Sequence, residues 1–276
     1  MRKEFDDADI AAFEPSEKVG LVATLTGAGE PHVTLLTTIC ANGAKGLTIG
    51  EFSRGLSKEN MASRGKVGFL VMSLDRRLWR GKAIWKRSAK DGPEYVKYNR
   101  QPMFRYNTYF GINTVHYLDL VDIEGPAPLP LAGVALASVA TALKARAARP
   151  RSSEPVLPPF AVSILDALAS LNFLAFVDAD GFPRIVPILQ ARSAGTSRIV
   201  FTPGPWGAEL AAVPQGAAAA VFSMNLGMEG FFARGQFLGR VKRGLLGVDL
   251  DYLYNAMPSL HGQVWPARPL EARTEF

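Results

Sequence analysis

The chain has 276 residues, of which 48% are hydrophobic and 20% charged, a composition typical of a globular protein and unlike that of an extended disordered chain. Its single cysteine, Cys40, excludes an internal disulfide framework and a cysteine-based zinc cluster. The N-terminus is charged where an apolar leader would have to begin, so we expect a reducing, cytoplasmic location. The formal net charge of +6 favours anionic ligands in general.

An internal repeat organises the sequence. The stretch 21–36 is similar to 173–188, and each contains a Gly-x-Pro turn, at Gly29 and Gly181, between two apolar runs that read as strands. Further similar segments follow in the same order, which indicates that one domain has been duplicated. These pairs are 66–72 with 218–224, 79–83 with 233–237, and 98–99 with 254–255.

Several short strands separated by turn residues are typical of a small antiparallel barrel, and the sequence has no glycine-rich nucleotide-binding loop. Between the halves lie an apolar segment, Leu131–Leu143, and a stretch rich in Pro and Ser. The apolar segment is shorter than the roughly 20 residues that a membrane span needs, so we expect a packed helix and no contact with a membrane. The expected boundaries are 1–125 for the first barrel, 126–160 for a helical and Pro-rich linker, and 161–276 for the second barrel.

A polar loop in the first half carries a candidate anion site. Ser53, Arg54, Ser57 and Lys58 stand at the predicted start of a short helix. Backbone N–H groups at a helix N-terminus, hydroxyl groups and a cation together suit a phosphate. The same residues also fit an ordinary helix cap with a solvated lysine. In the second half the repeat places Glu209 near the position of Lys58, and a carboxylate there would repel a phosphate.

The first half therefore combines a Gly-x-Pro hairpin at 29–31, a strand at 33–38, a second strand ending in small or hydroxyl residues at 46–53, and Ser57-Lys58 at a helix start. With these motifs it resembles the FMN-binding split barrel of the pyridoxamine 5′-phosphate oxidase-like superfamily. The resemblance extends over about 17–125 and, more faintly, over 162–266. It implies a mainly β protein with helices (α+β), in which two tandem split β-barrels form a pseudo-dimer within the chain.

The resemblance also implies roles for individual residues. In the family, one strand lies along the edge of the flavin ring, a second borders the ring or ribityl chain, a Ser/Lys pair holds the phosphate, and a polar residue faces the flavin. Thr37 and Thr38 also fit ordinary strand residues, and Arg76 also fits the solvated tip of a hairpin. The corresponding positions here are Thr34, Leu35, Leu36 and Thr37; Ile49 and Gly50; Ser57 and Lys58, with Ser53 and Arg54 as further donors; and Arg76.

The resemblance implies one FMN per chain, held by the first barrel, with haem and a deazaflavin as alternative cofactors. A flavin carries the redox chemistry itself, so no catalytic residue is assigned. We predict an FMN-dependent oxidoreductase acting on a small molecule; the alternative is a non-catalytic flavin or haem carrier on the same fold.

Arg105 and His116 are candidate substrate residues in an aromatic stretch, 95–116, that also fits an interface between the barrels. The three histidines lack the spacing of metal ligands, so no metal is expected. The basic residues are spread along the chain, so no nucleic acid is expected as a partner either. We expect a monomeric pseudo-dimer or a homodimer.

Overall fold

The computed structural model describes residues 1–52, 55–101, 111–150, 154–257 and 262–268. The chain divides into two compact units. The first contains Met1–Leu129 together with Ala179–Arg184, and the second contains Pro130–Asp178 and the described residues from Ile185 onward.

The first unit is built around an antiparallel sheet. Among the described residues, three helices accompany it along the chain. Helix α1 is Asp7–Phe13 and precedes the first strand, α2 is Leu56–Arg64 and follows the fourth strand, and α3 is Pro93–Arg100 and precedes the last strand. The strands are β1 Lys18–Leu25, β2 Pro31–Leu35, β3 Ile39–Asn42, β4 Gly46–Glu51, β5 Lys66–Ser73, β6 Arg77–Ala89 and β7 Thr114–Pro128. Their order across the sheet is β2-β1-β5-β6-β7-β4-β3.

A second antiparallel sheet follows in the chain. Its helices are α4 Leu131–Ala145, α5 Pro159–Asp166 and α6 Gly207–Ala211. Its strands are β8 Leu171–Val177, β9 Pro183–Pro187, β10 Arg192–Ser193, β11 Arg198–Phe201, β12 Ala218–Met224, β13 Gly230–Arg240, β14 Leu246–Asn255 and β15 Gly262–Trp265. The order is β10-β11-β14-β13-β12-β8-β9, with β15 paired to β14.

The two sheets repeat one topology. Read from its opposite edge, the second sheet has the strand order β9-β8-β12-β13-β14-β11-β10. The number of each strand is seven higher than that of the strand at the same position in the first sheet. The turn glycines Gly29 and Gly181 both have positive φ, 81° and 76°, a conformation that favours glycine. A Cβ at Gly81 or Gly235 would collide with a backbone carbonyl of the neighbouring strand. The predicted duplication is confirmed, and so is a mainly β fold with helices, built on two antiparallel sheets in tandem.

The segment 126–160 differs from the expected linker. Strand β7 runs on to Pro128, and α4 then belongs to the second unit, where it packs on β10 and β11. The reason is that α4 buries one side, formed by Ala137, Thr141 and Ala145, against those strands. Together with the 3₁₀ turn that follows it, α4 forms a helix, Leu131–Ala148, that is long and apolar enough to cross a membrane, a property that the shorter apolar run did not predict.

The core of the first unit lies between α1 and the sheet. Phe13, Phe69 and Trp79 are almost fully buried. The ring centroid of Phe13 lies 6.3 Å from that of Phe69 and 5.9 Å from that of Trp79, both with edge-to-face geometry. Such pairs add about 0.5–1.5 kcal/mol to the stabilisation from burial of the rings. The aromatic cluster therefore holds α1 against the sheet.

Asp9 connects α1 to this cluster through its carboxylate. Trp79 donates its indole N–H to Asp9 Oδ1 over 2.8 Å, and Arg2 forms an ion pair of 2.6 Å with Oδ2. Asp9 and Asp6 also complete a capping box at the start of α1. Burial alone raises the pKa of Asp9, but the hydrogen bonds from Arg2, Asp6 and Trp79 outweigh it and lower the pKa below the ordinary 3.8.

Lys18 closes the other end of α1. Its ammonium is buried and donates to the backbone carbonyls of Phe13 and Pro15, over 2.9 and 2.5 Å. These carbonyls belong to the end of the helix and the loop after it, where a cation also interacts favourably with the helix dipole. Burial lowers the pKa of Lys18. Both ends of α1 are thus fixed by buried charged groups.

The segment Ala179–Arg184, the tip of the β8–β9 hairpin, belongs to the first unit. Lys82 forms an ion pair of 2.7 Å with the Asp180 carboxylate, and Lys66 donates to the Asp180 carbonyl over 2.7 Å. A Cβ at Gly68 would collide with the carbonyl oxygen of Pro183. Glycine on β5 therefore allows this hairpin tip to pack against the sheet.

Asp9→Ala is expected to lower the free energy of unfolding by about 2–4 kcal/mol. The Trp79 N–H loses its acceptor, which costs about 1–3 kcal/mol, and the helix loses its capping box, which costs about 1 kcal/mol. Urea denaturation measures the change. Asp7→Ala, at an exposed position of the same helix, is the matched control and is expected to cost about 0.5 kcal/mol or less. Equal losses in the two variants would contradict the role of Asp9.

The lowered pKa of Asp9 also sets a pH dependence. Because the folded pKa lies below the ordinary 3.8, the stabilisation by this carboxylate is present above pH 3.8 and is lost as the pH falls through the folded value. Asp9→Asn removes this contribution, so its unfolding free energy is expected to fall less steeply on acidification than that of the wild type.

Candidate functional site

The candidate anion site lies where β4 leads into α2. Residue Gly55 is the N-cap of α2, with extended backbone (φ −155°, ψ 169°) and no side-chain hydrogen bond that caps the helix among the described residues. Lys58 lies in the first turn. Backbone N–H groups at such an end need an acceptor from outside the helix, and an anion is a suitable one. Ser53 and Arg54, also predicted at this site, lie outside the described residues.

Two of the predicted residues meet beside this helix end. The Ser57 hydroxyl lies 2.6 Å from the Thr34 hydroxyl, which lies 3.1 Å from Nε2 of His32. When His32 donates to Thr34 and Thr34 donates to Ser57, the hydrogen of the Ser57 hydroxyl remains available for an anion. His32 was not predicted here, although its position two residues before Thr34 places both side chains on one face of β2.

The other predicted residues on β2 to β4 divide into two groups. Thr34, Leu35 and Thr37 are half-buried. Leu36 and Ile49 belong to the hydrophobic core. The backbone N–H of Leu36 donates to the carbonyl of Gly20 over 2.7 Å, and its carbonyl accepts from the N–H of Ile39 over 3.1 Å. At Gly50 a Cβ would lie 2.8 Å from the side chain of Ile112. Ile112 therefore packs closely against the backbone at Gly50.

Arg76 lies away from this group, in the exposed turn between β5 and β6, and has positive φ (64°). Strand β1 separates Arg76 from Thr34. Val22 of β1 pairs with Thr34, whereas Lys18, four residues earlier on β1, pairs with Ser73, which lies next to the turn that contains Arg76. Four residues of strand correspond to about 13 Å. The structure therefore does not bring Arg76 together with the start of α2.

His116 is buried in a chain of three side chains. Its Nδ1 lies 3.1 Å from the indole nitrogen of Trp85, and its Nε2 lies 2.7 Å from the Glu51 carboxylate. An indole N–H can only donate, so Nδ1 accepts and the ring hydrogen sits on Nε2, which donates to Glu51. Both ring nitrogens of His116 are thus engaged in joining β4, β6 and β7. Arg105, the other candidate substrate residue, lies outside the described residues.

The second unit differs at the equivalent position. Helix α6 follows β11 as α2 follows β4, and its first turn contains Glu209. Here α4 covers the end of β11. The backbone N–H of Thr202 donates to the Thr141 hydroxyl over 3.0 Å, and the Thr202 hydroxyl donates to the carbonyl of Ala137 over 3.2 Å. The backbone N–H and the hydroxyl of Thr202 are therefore bonded to the chain itself, and the charge of Glu209 disfavours an anion at α6.

Within the described residues, no group of three or more His, Cys, Asp or Glu side chains could hold a metal ion.

No protein-family model matches this sequence, and no curated protein matches it. Solved structures do match. An FMN-binding protein from Syntrophomonas wolfei is 16% identical with a TM-score of 0.38, over 44% of this chain and 85% of that one. HupZ from Group A Streptococcus is 14% identical with a TM-score of 0.35, over 43% of this chain and 91% of that one.

An F420 reductase is 16% identical with a TM-score of 0.35, over 44% of this chain and 98% of that one. Each of these three solved structures covers less than half of this chain.

Proposed function

We propose that the first unit binds one FMN per chain and that the protein is an oxidoreductase, which uses this flavin to act on a small molecule. The observation that carries the proposal is the start of α2, where Gly55 provides no side-chain cap and Lys58 stands in the first turn. Helix α2 follows β4 in the chain. The Ser57 hydroxyl near its start lies 2.6 Å from the Thr34 hydroxyl on β2.

The start of α2 fits the phosphate group of FMN. Its backbone N–H groups, the positive end of the helix dipole and the Lys58 ammonium all favour a dianion. The Ser57 hydroxyl adds a donor whose direction is set by Thr34 and His32. The acidic residue of this turn, Glu59, is exposed, so solvent screens its charge.

The half-buried residues of β2 and the turn after it, Thr34, Leu35 and Thr37, are placed to contact the flavin ring system. Thr38 stiffens this turn because its hydroxyl donates to the carbonyl of Gly50 over 2.7 Å, and its own carbonyl accepts from Tyr98 over 2.6 Å. When bound, FMN supplies hydride or electron transfer. The chain's residues hold the phosphate and orient the ring.

His116 is poorly suited to bind a haem iron. An axial histidine needs a ring nitrogen that is free to bind iron, and both nitrogens of His116 are bonded within the protein, to Trp85 and Glu51. The cation and the helix end at α2 instead favour a cofactor with a phosphate group.

Lys58→Glu is expected to raise the dissociation constant of FMN by about tenfold to a hundredfold. A hydrogen bond to a charged group contributes about 1.5–3 kcal/mol, and each 1.4 kcal/mol corresponds to a factor of about ten. Titration of the apoprotein with FMN, followed by flavin fluorescence, gives the constant. Lys90→Glu makes the same change of charge at an exposed position and is expected to bind FMN like the wild type. Equal constants for both variants would show that Lys58 does not hold the phosphate.

The number of flavins per chain tests the difference between the units. Freshly purified protein is expected to show the absorption bands of flavin, and extraction is expected to yield one equivalent of FMN. Two equivalents would refute a single site.

Anaerobic addition of NADPH, NADH or dithionite then tests the redox role. A flavin that dithionite reduces but that neither nicotinamide nor any candidate substrate reduces would contradict the oxidoreductase and favour a carrier.

A further inference from the structure

Helix α4 packs on the second sheet with its small residues and leaves its large apolar side chains exposed. Its buried side consists of the small or polar residues Ala137, Thr141 and Ala145. Its largest apolar residues point outward, with Leu136 75% exposed and Leu143 81% exposed. Large apolar side chains are normally the ones that a helix buries. The orientation therefore needs an explanation outside the second unit's own packing.

The exposed apolar residues form one stripe. Leu136, Val139 and Leu143 lie at positions i, i+3 and i+7, on the same face of the helix, and Val139 is 62% exposed. The helix cannot turn this face inward, because Thr141 on the opposite side is bonded to Thr202. A continuous apolar stripe on a helix fixed in this way marks an interaction surface.

The charge beside the stripe is positive. Between Gly125 and Ser153 the sequence contains four basic residues and no acidic one. Lys144 and Arg146 directly follow the stripe, and Arg146 is exposed. Basic side chains next to an exposed apolar stripe are attracted to a membrane surface with anionic lipids.

We propose that α4 docks the protein on the surface of an anionic phospholipid bilayer. Leu136, Val139 and Leu143 enter the boundary between headgroups and acyl chains, and Lys144 and Arg146 contact phosphate groups. The expectation of no membrane contact rested on the length needed to cross a bilayer, and a helix that lies on the surface has no such requirement. The bonds between Thr141 and Thr202 hold α4 on the protein, so it lies on the bilayer and does not span it.

An exposed apolar stripe could also be covered by a second copy of the chain in a homodimer. The net charge of +6 and the basic end of α4 repel a second copy and attract an anionic surface. Charge complementarity therefore selects lipid as the partner. This inference does not depend on the cofactor that the first unit binds.

The test is cosedimentation of the full chain with vesicles. We expect binding to vesicles of phosphatidylglycerol and phosphatidylcholine in equal parts, weaker binding to phosphatidylcholine alone, and a decrease with added salt. Leu136→Ser with Leu143→Ser is expected to lower the partition coefficient by about tenfold or more. Lys144→Gln with Arg146→Gln is expected to lower it by about tenfold on the anionic vesicles.

The matched control is Leu168→Ser with Leu226→Ser, two leucines outside α4 that are 93% and 74% exposed; it is expected to bind like the wild type. Circular dichroism checks that the variants fold, and the charge variant carries the test should the α4 leucine variant unfold. The proposal is overturned by a wild type that does not bind anionic vesicles, or by a control variant that loses binding equally. It is also overturned by a wild-type dimer that the α4 leucine substitutions dissociate, since the stripe would then be covered by a second copy.

Discussion

A helix begins with backbone N–H groups that need an acceptor, and the charge beside them decides whether an anion can serve. Within the described residues of the first unit, α2 follows Gly55 without a side-chain cap, and Lys58 is the third residue of the helix. In the second unit α6 also begins without a side-chain cap, but the third residue of that helix is Glu209. The equivalent helices of one repeated topology thus carry opposite charges at this position. The proposed cofactor site follows from this difference.

The repeat could be predicted from sequence because glycine and proline mark backbone geometry directly. Gly29 and Gly181 have positive φ, and Gly81 and Gly235 lie where a Cβ would collide with the next strand. These residues are local signals, and their recurrence in the same order along the chain indicates the repeat. The arrangement of the two barrels as a pseudo-dimer stays a prediction.

The side-chain connections of the site could not be predicted in the same way. Glu51, Trp85 and His116 are far apart in sequence and meet only because β4, β6 and β7 are neighbours in the sheet. Helix α4 is apolar on most of its surface, so its sequence does not show which side packs. The bond between Thr141 and Thr202 decides that orientation, and it involves residues from separate elements.

The central claim is that an anionic group binds at the start of α2. Nuclear magnetic resonance of the ¹⁵N-labelled, deuterated protein during titration with FMN tests it most directly, because amide signals report their own hydrogen bonds. The amides of Leu56 and Ser57 are expected to shift among the most strongly and to saturate together with flavin binding. Saturated binding of FMN with unchanged Leu56 and Ser57 amides would contradict this claim.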